Sequence, residues 1–585
     1  MANRNLFQKL NNPSSDIPLK PFDLSRRIIY SSRPGICDIE LAMEVVKGDK
    51  FKIDTTVFNR TDKLLAPAFI RLKQFHHFFF VPYNTLWHEW DNFFTRSTEK
   101  ESAATLGNSY FPNFSVYDYL NHITSLNSNN RDMMNLAKLP GIDRNMQKLG
   151  YGCIDCFNQE VFDAGNLSGK YMNLARILAY NKIWYWFYRD KRHRPAESNT
   201  WWNNFVKYYN VDDIDCSTFD TSHVLDFDRI DRMFEIKYRT WDSDLFTNSF
   251  ASTQFGSVSV LNAENVQIKN SVLSTGSDLP GNNVTVVSGS GGANLAVRDS
   301  NGNVFTGSSR WNINSLFDIL TLRRAEAVQH WRELMLRAGD SSKDRYRAMF
   351  GTSPKRSDEI PTYIGGFDVN LNVDDVTATA YSNSQASGDT NGLGQLAGKG
   401  IMSSDGNHIE FTAPDYGIVM CISSILPLTE YDGNQFDKAN MLVEPTDFYI
   451  PQFDRLGFEP VIRAELNAPV NIWPYLNTVV GYTVRNHYLK TSVDRVYNNF
   501  RHNKADSYWA FTRDTPYTIS IISGQTNFYQ TFYVSPTSTN HLFDRQVVPT
   551  TNDPDASYLE DPFKCLTYFD IKALRPMSQL GLPPL

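Results

Sequence analysis

The densest grouping of chemically versatile side chains is IWYWFYRDKRHRP, residues 183–195. Arg189, Lys191, Arg192, His193 and Arg194 follow Trp184, Tyr185, Trp186 and Tyr188. Basic groups neutralise phosphate and aromatic faces stack on unpaired bases, so this mixture suits single-stranded nucleic acid. It equally suits an aromatic helix packed in an interface and ending in a solvated basic turn. Tyr185, Trp186, Tyr188, Arg189, Lys191, Arg192 and Arg194 are the candidate nucleic-acid-binding set.

Other groupings fail the spacings that catalysis needs. There is no HExxH, no GxSxG and no EF-hand loop. GLGQLAGKG (392–400) has Leu393 where a phosphate loop needs Gly, and Gly400 where it needs Ser or Thr. Cys153-Ile-Asp-Cys156 is a lone CxxC without two further ligands at zinc spacing, so it reads as two ordinary thiols. His76 and His77 are neighbours in a predicted strand, face opposite ways and cannot share one metal. The sequence therefore points to no catalytic residue, metal or cofactor. Carboxylates are plentiful, and a glycosidase-like pair stays open at this level.

Bulk properties narrow the class. With 585 residues, 41% hydrophobic and 21% charged, the chain is globular and holds several domains or one domain with insertions. Aromatics at 14% suit extensive buried contacts, including contacts between subunits. A net charge of −7 argues against a protein that coats DNA over its whole surface, but allows a local basic patch. Six scattered cysteines suit a reducing cytoplasm. MANRNLFQKLNN has no apolar segment of the signal-peptide kind, and no run is long enough to span a membrane.

The elements that position these residues read as mainly β. Residues 66–87, APAFIRLKQFHHFFFVPYNTLW, alternate at first and are then apolar on both faces through Phe78-Phe79-Phe80-Val81, until Pro82 stops the ladder. This predicts a central antiparallel strand with something bulky packed over one end. Residues 49–60 alternate with Phe51, Ile53 and Val57 inward; residues 563–575 do so with Phe563, Cys565, Phe569, Ile571 and Ala573 inward. Matching first and last strands imply a closed or two-sheet barrel.

The predicted organisation is an extended N-terminal arm (1–48), first strands (49–86), and a helical and irregular insertion (87–247). An exposed Ser/Gly/Asn-rich β insertion (248–310), a helix with its connection (311–365), a Gly/Ser-rich loop (366–408), and the remaining strands and tail (409–585) follow. The helix is expected between a Ser315 N-cap and Gly339, with Leu316, Leu320, Ala327, Val328, Trp331, Leu334 and Met335 on one face.

Eight pieces carry a resemblance: LKPFDLSRR (19–27), VVKGDKFKIDTTVFNRT (45–61), FIRLKQFHHFFFVPYNTLW (69–87), LARILAYNKIWYWFYRD (174–190), LRRAEAVQHWRELMLRAG (322–339), IPTYIGG (360–366), FTAPDYGIVMCISSILPLTEYDG (411–433) and FDIKALRPMSQLGLPPL (569–585). In this order they resemble the major capsid proteins of the microviruses, most closely the group from gut Bacteroidetes hosts. The resemblance implies one eight-stranded antiparallel jelly roll of the viral capsid type, with long helical and loop insertions. It implies sixty copies in a T=1 icosahedral shell around circular single-stranded DNA, assembled in the host bacterial cytoplasm. It further implies a small basic DNA-binding protein, a minor pilot protein, a scaffolding protein and a host cell-surface receptor as partners. The 248–310 insertion matches the place of an outward protrusion. A jelly-roll carbohydrate-binding protein or glycan-cleaving enzyme is the alternative.

Overall fold

Alternation of apolar and polar residues builds the longest strands. In the computed structural model the described residues are 18–87, 90–95, 111–115, 119, 140–152, 171–189, 230, 233–254, 285–288, 295–298, 319–338, 342–352, 360–377, 396–454, 457–467, 476–502, 504–513, 533–535, 538–543 and 561–579. The chain forms two compact units, Met1–Thr253 with Pro354–Leu585, and Gln254–Ser353.

In the first unit the strands are β1 (Lys20–Asp23), β2 (Arg26–Ser32), β3 (Asp38–Val45), β4 (Lys50–Leu64), β5 (Leu72–Pro82), β6 (Asn113–Ser115) and β7 (Tyr171–Asn173). In the second unit β8 (Thr285–Ser288) pairs with β9 (Leu295–Arg298) as a hairpin. The first unit resumes with β10 (Thr362–Asn370), β11 (Asn372–Thr377), β12 (Leu396–Thr412), β13 (Gly417–Pro427), β14 (Glu430–Asp432), β15 (Phe458–Ile462), β16 (Val479–Val484), β17 (Asp494–Val496) and β18 (Phe563–Arg575).

Two antiparallel sheets dominate. One runs β1-β18-β4-β12-β11, with β2 also paired to β18; the other runs β10-β5-β13-β3. Ile53 lies opposite Ile571, so the first long strand and the last are neighbours, as the matching patterns predict. Their inner faces form shared cores. Phe78, Phe80 and Val419 from the four-stranded sheet meet Phe51, Ile53, Phe569 and Ile571 from the six-stranded one. Phe78 and Phe569 stack edge to face across the gap, with centroids 6.1 Å apart.

The second face of the four-stranded sheet is covered too. Among the helices of this unit are α1 (Trp90–Thr95), α2 (Pro140–Leu149) and α3 (Ala175–Ile183). Ile142 and Met146 of α2 and Ile177, Tyr180 and Ile183 of α3 pack with Phe79 and Val81 of β5 and Ile418, Met420 and Ile422 of β13. Every residue of β13 is buried as a result. This helical cover is the bulk that the continuous apolar run in β5 anticipates.

Three expectations need correction. The segment expected as an arm (1–48) is instead, from residue 20 on, mostly sheet: β1 and β2 pair with β18, and β3 is an edge of the four-stranded sheet. Pro21 lies in the short strand β1 at the edge of its sheet and Pro34 makes only an isolated bridge to Ile425, positions where a missing N–H costs little. The expected Gly/Ser-rich loop (366–408) is largely β10, β11 and β12. A Cβ at Gly398 would sit 2.5 Å from the Ala66 carbonyl oxygen, and one at Gly400 2.7 Å from Leu371, so these glycines permit close backbone approach. The second unit's helices are α4 (Ile319–Ala338) and α5 (Ser342–Phe350). Ser315, Leu316 and Gly339 lie outside the described residues, as do the side chain of Leu320 and residues 257–261, and Val328 and Trp331 of the expected apolar face are exposed.

Candidate functional site

The 183–195 run continues α3 into a wide turn over Trp184–Tyr188, in which the Arg189 N–H donates to the Trp184 carbonyl at 3.0 Å. Tyr185, Trp186 and Tyr188 are buried in the core that covers the four-stranded sheet. Tyr188 hydrogen-bonds His77 Nδ1 at 2.8 Å, and burial pushes its hydroxyl well above the ordinary phenol range. The Arg189 guanidinium lies 4.3 Å over the Tyr185 ring. These three rings therefore have no free face for a base, which corrects the nucleic-acid reading of the aromatic half. Their side chains sit where the insertion must seal the sheet. Lys191, Arg192 and Arg194 lie outside the described residues, as do Cys153 and Cys156.

Sequence spacing did not reveal the charged network inside the sandwich. Glu40 of β3 is buried and accepts from the Tyr30 hydroxyl at 2.5 Å and the Thr567 hydroxyl at 2.9 Å. Its other oxygen lies 2.8 Å from His76 Nδ1 and 3.5 Å from Cys421 Sγ. Burial alone would raise the Glu40 carboxyl; His76 and the donated hydrogen bonds outweigh it and hold the group below its ordinary value. Burial and the Glu40 charge push the Cys421 thiol well up. Glu40, His76 and Cys421 do lie within ligand reach of one another. The Tyr30 and Thr567 hydroxyls occupy one Glu40 oxygen and His76 and Cys421 the other, so within the sandwich the carboxylate is a hydrogen-bonded buried charge. His76 and His77 do face opposite ways, towards Glu40 and Tyr188 respectively.

Next to it, Asp38 joins the insertion to both sheets. Its carboxylate accepts from Ser32 at 2.5 Å, from Arg144 Nε and Nη2 at 2.9 Å each, and from Lys148 at 2.5 Å. Arg144 also reaches Asp561 at 2.8 Å and the Ser31 carbonyl. Burial raises the Asp38 carboxyl, but Arg144 and Lys148 outweigh that and hold it below the usual range. A third cluster lies beyond the sandwich, where α6 (Arg463–Leu466) follows β15. His487 is bracketed by Glu459 and Glu465, each at 2.6 Å. Burial would lower its pKa, yet the two carboxylates raise it to about 9.

The outward face of the six-stranded sheet divides into two chemical halves. At the end where β1 pairs, Lys572 meets Asp23 at 2.7 Å and Asp570 at 3.1 Å, and His408 meets Asp54 at 2.7 Å and Glu410 at 3.1 Å. At the other end Arg27, Arg60 and Lys564 stand among Ile29, Phe58 and Tyr568. The outward positions of the alternating strands held the signal for this second half, because sequence separation hid it.

This architecture is that of a β-rich structural protein: antiparallel sheets locked through their middle by buried charge, one of them sealed by helices. A family model described as "Capsid protein (F protein)" matches residues 11–136 and 164–578. The chain belongs to that family, the major capsid proteins of the Microviridae bacteriophages, and is a structural component of the virion. The family is non-enzymatic and lends the sugar-binding or glycan-cleaving alternative no support. No curated protein matches the chain. No helix among the described residues is long and apolar enough to cross a membrane.

Proposed function

We propose that sixty copies of this chain close into a T=1 icosahedral shell around circular single-stranded DNA, built on an eight-stranded jelly roll. The observation that carries the reading is the strand order. If β1 with β2 counts as one position, and β10 with β11 as another, the two sheets hold eight long strands. β10 and β11 flank the single residue Leu371 and pass from one sheet to the other. Spatial neighbours come from remote parts of the chain, as in two interleaved Greek keys.

Exposed Phe69, Val443, Phe448, Leu489 and Tyr497 supply apolar surface for lateral contacts between copies. Sixty repeats of such contacts offset the entropy of fixing each subunit. The 248–310 insertion is the proposed outward protrusion of the particle and meets a host cell-surface receptor. The net charge of −7 leaves the genome's charge to be balanced elsewhere, which supports a small basic packaging protein. A scaffolding protein and a minor pilot protein complete the proposed partners, and assembly is placed in the host bacterial cytoplasm. Electron microscopy of the purified protein tests the reading. Closed particles of uniform diameter are expected; only monomers or small oligomers under all assembly conditions would overturn it.

A further inference from the structure

One end of the outward face of the six-stranded sheet collects three cations and two aromatic rings from three separate segments. Strand register sets Arg27 and Thr56 on either side of Tyr568, Ile29 and Phe58 on either side of Leu566, and Ser31 and Arg60 on either side of Lys564. All six outer members of the patch are exposed: Ile29 at 64%, Tyr568 at 41% and Phe58 at 37%, with Arg27, Arg60 and Lys564 beside them. The Arg60 guanidinium lies 5.0 Å over the Phe58 ring. Arg27 and Arg60 form no ion pair among the described residues, and Lys564 donates to the Asp561 carbonyl at 2.5 Å and meets the rim carboxylate of Asp62 at 3.4 Å. The other half of the face balances itself, with Asp23, Asp54, Asp570 and Glu410 standing against Lys50, Lys52, Lys572 and His408. The spare positive charge is therefore confined to the aromatic end.

Phe58 and Tyr568 are diagonal neighbours across the β4–β18 ladder, since Phe58 faces Leu566, two residues before Tyr568. Diagonal partners in a sheet stand about 7–8 Å apart, and aromatic rings on a sheet face stack two or three bases of an unpaired strand in a common RNA-binding module. An occupant must bring anionic groups at regular intervals and flat π faces between them.

We infer that this face is a stacking platform for single-stranded nucleic acid, with Phe58 and Tyr568 under the bases and Arg27, Arg60 and Lys564 on the phosphates. The inference rests on the proposed DNA-enclosing role and assigns that role a surface. Rings on strand faces are held rigid at no folding cost, and mixed stacking with phosphate contact tolerates any base sequence, as a genome lining needs.

The test uses the full-length protein with a fluorescein-labelled oligo(dT), read by anisotropy across a salt series. Phe58→Leu/Tyr568→Leu keeps bulk and strand propensity but removes both π faces; binding is expected to weaken about tenfold per ring, about 1.4 kcal/mol each. Arg27→Gln/Arg60→Gln/Lys564→Gln is expected to flatten the slope of log affinity against log salt by roughly two, at about 0.7 per phosphate on a single strand. Lys52→Gln/Lys572→Gln at the other end is the control and should leave both readings unchanged. Unaltered affinity and slope in the first two variants, or an equal effect of the control, would overturn the inference. So would normal oligonucleotide binding combined with lost shell formation, which would make the face a contact between copies. Shells that form normally while the variants bind DNA like the parent would sink the platform and leave the capsid reading standing. Weakened oligonucleotide binding in the first two variants of a parent chain that binds DNA but never forms shells would keep the platform and sink the capsid reading.

Discussion

Asp38→Ala probes the charged centre that ties α2 to the two sheets. The carboxylate is 1% exposed and holds Arg144 and Lys148 together. Its removal leaves Arg144 with Asp561, but leaves Lys148 without its carboxylate; the Lys148 ammonium then keeps only its place 4.2 Å over the Tyr30 ring. Breaking a buried pair by deleting one partner costs about 3–5 kcal/mol, a large share of the 5–15 kcal/mol typical of a folded domain. Asp38→Ala/Lys148→Met removes both charges at similar volume and should recover most of the loss. Urea unfolding of unassembled subunits, followed by Trp fluorescence for the two single variants, the double and the parent, gives the coupling energy. The pH dependence has a fixed sign. Asp38 lies below its ordinary value in the folded chain, so its contribution is complete above about pH 4 and fades as pH falls further. The gap between parent and Asp38→Ala should therefore narrow in acid. A single-variant loss under about 1 kcal/mol, or singles that simply add, would refute the idea that this cluster locks the insertion to the sandwich.

Phe79→Asp should cost several kcal/mol, because it places a carboxylate among Phe187, Tyr188 and Tyr363; soluble, assembly-competent variant protein would contradict this. His487 has its pKa raised to about 9, so its contribution is complete below its ordinary value of 6.5 and is lost as pH climbs through 9. Amide exchange around β15 and β16 should accelerate above that pH, and should lose this dependence in His487→Gln. Replacing residues 257–308 with a short Gly/Ser linker should leave shells of normal diameter that bind host cells poorly, since loop length costs little in closure entropy. Loss of assembly would make the segment a clamp between subunits, and full infectivity would place attachment elsewhere.

Period-two patterns were readable where one face of a strand is wet. Phe51, Ile53 and Val57 in β4 and Phe563, Phe569 and Ile571 in β18 are buried as their alternation predicts. The doubly apolar end of β5 also foretold its cover. Composition misled where glycine and proline do work other than turning: Gly398 and Gly400 make room for a neighbouring backbone and side chains. The candidate site was least legible. Tyr185, Trp186 and Tyr188 sit beside a basic turn in sequence but under a sheet in space. The exposed aromatic and basic patch is joined only by hydrogen bonding between strands whose residues lie hundreds of positions apart. Buried carboxylates such as Glu40 and Asp38 carry no local signature, because their partners come from other elements.

The last strand also sets a timetable. β18 inserts between β2 and β4, so the six-stranded sheet has a gap until residues 563–575 arrive. At the usual pace of about 5–20 residues per second, ribosomes leave the edges of β2 and β4 unpaired for roughly 25 to 100 seconds. During that interval the nascent chain offers two open strand edges to any neighbour, which makes it a client for holding chaperones and an aggregation hazard when synthesis is fast. A chain that stops short of β18 lacks the shared core as well as the strand. Translation that ends early thus yields no competent subunit, and a growing shell is protected from truncated copies by the order in which its own parts are made.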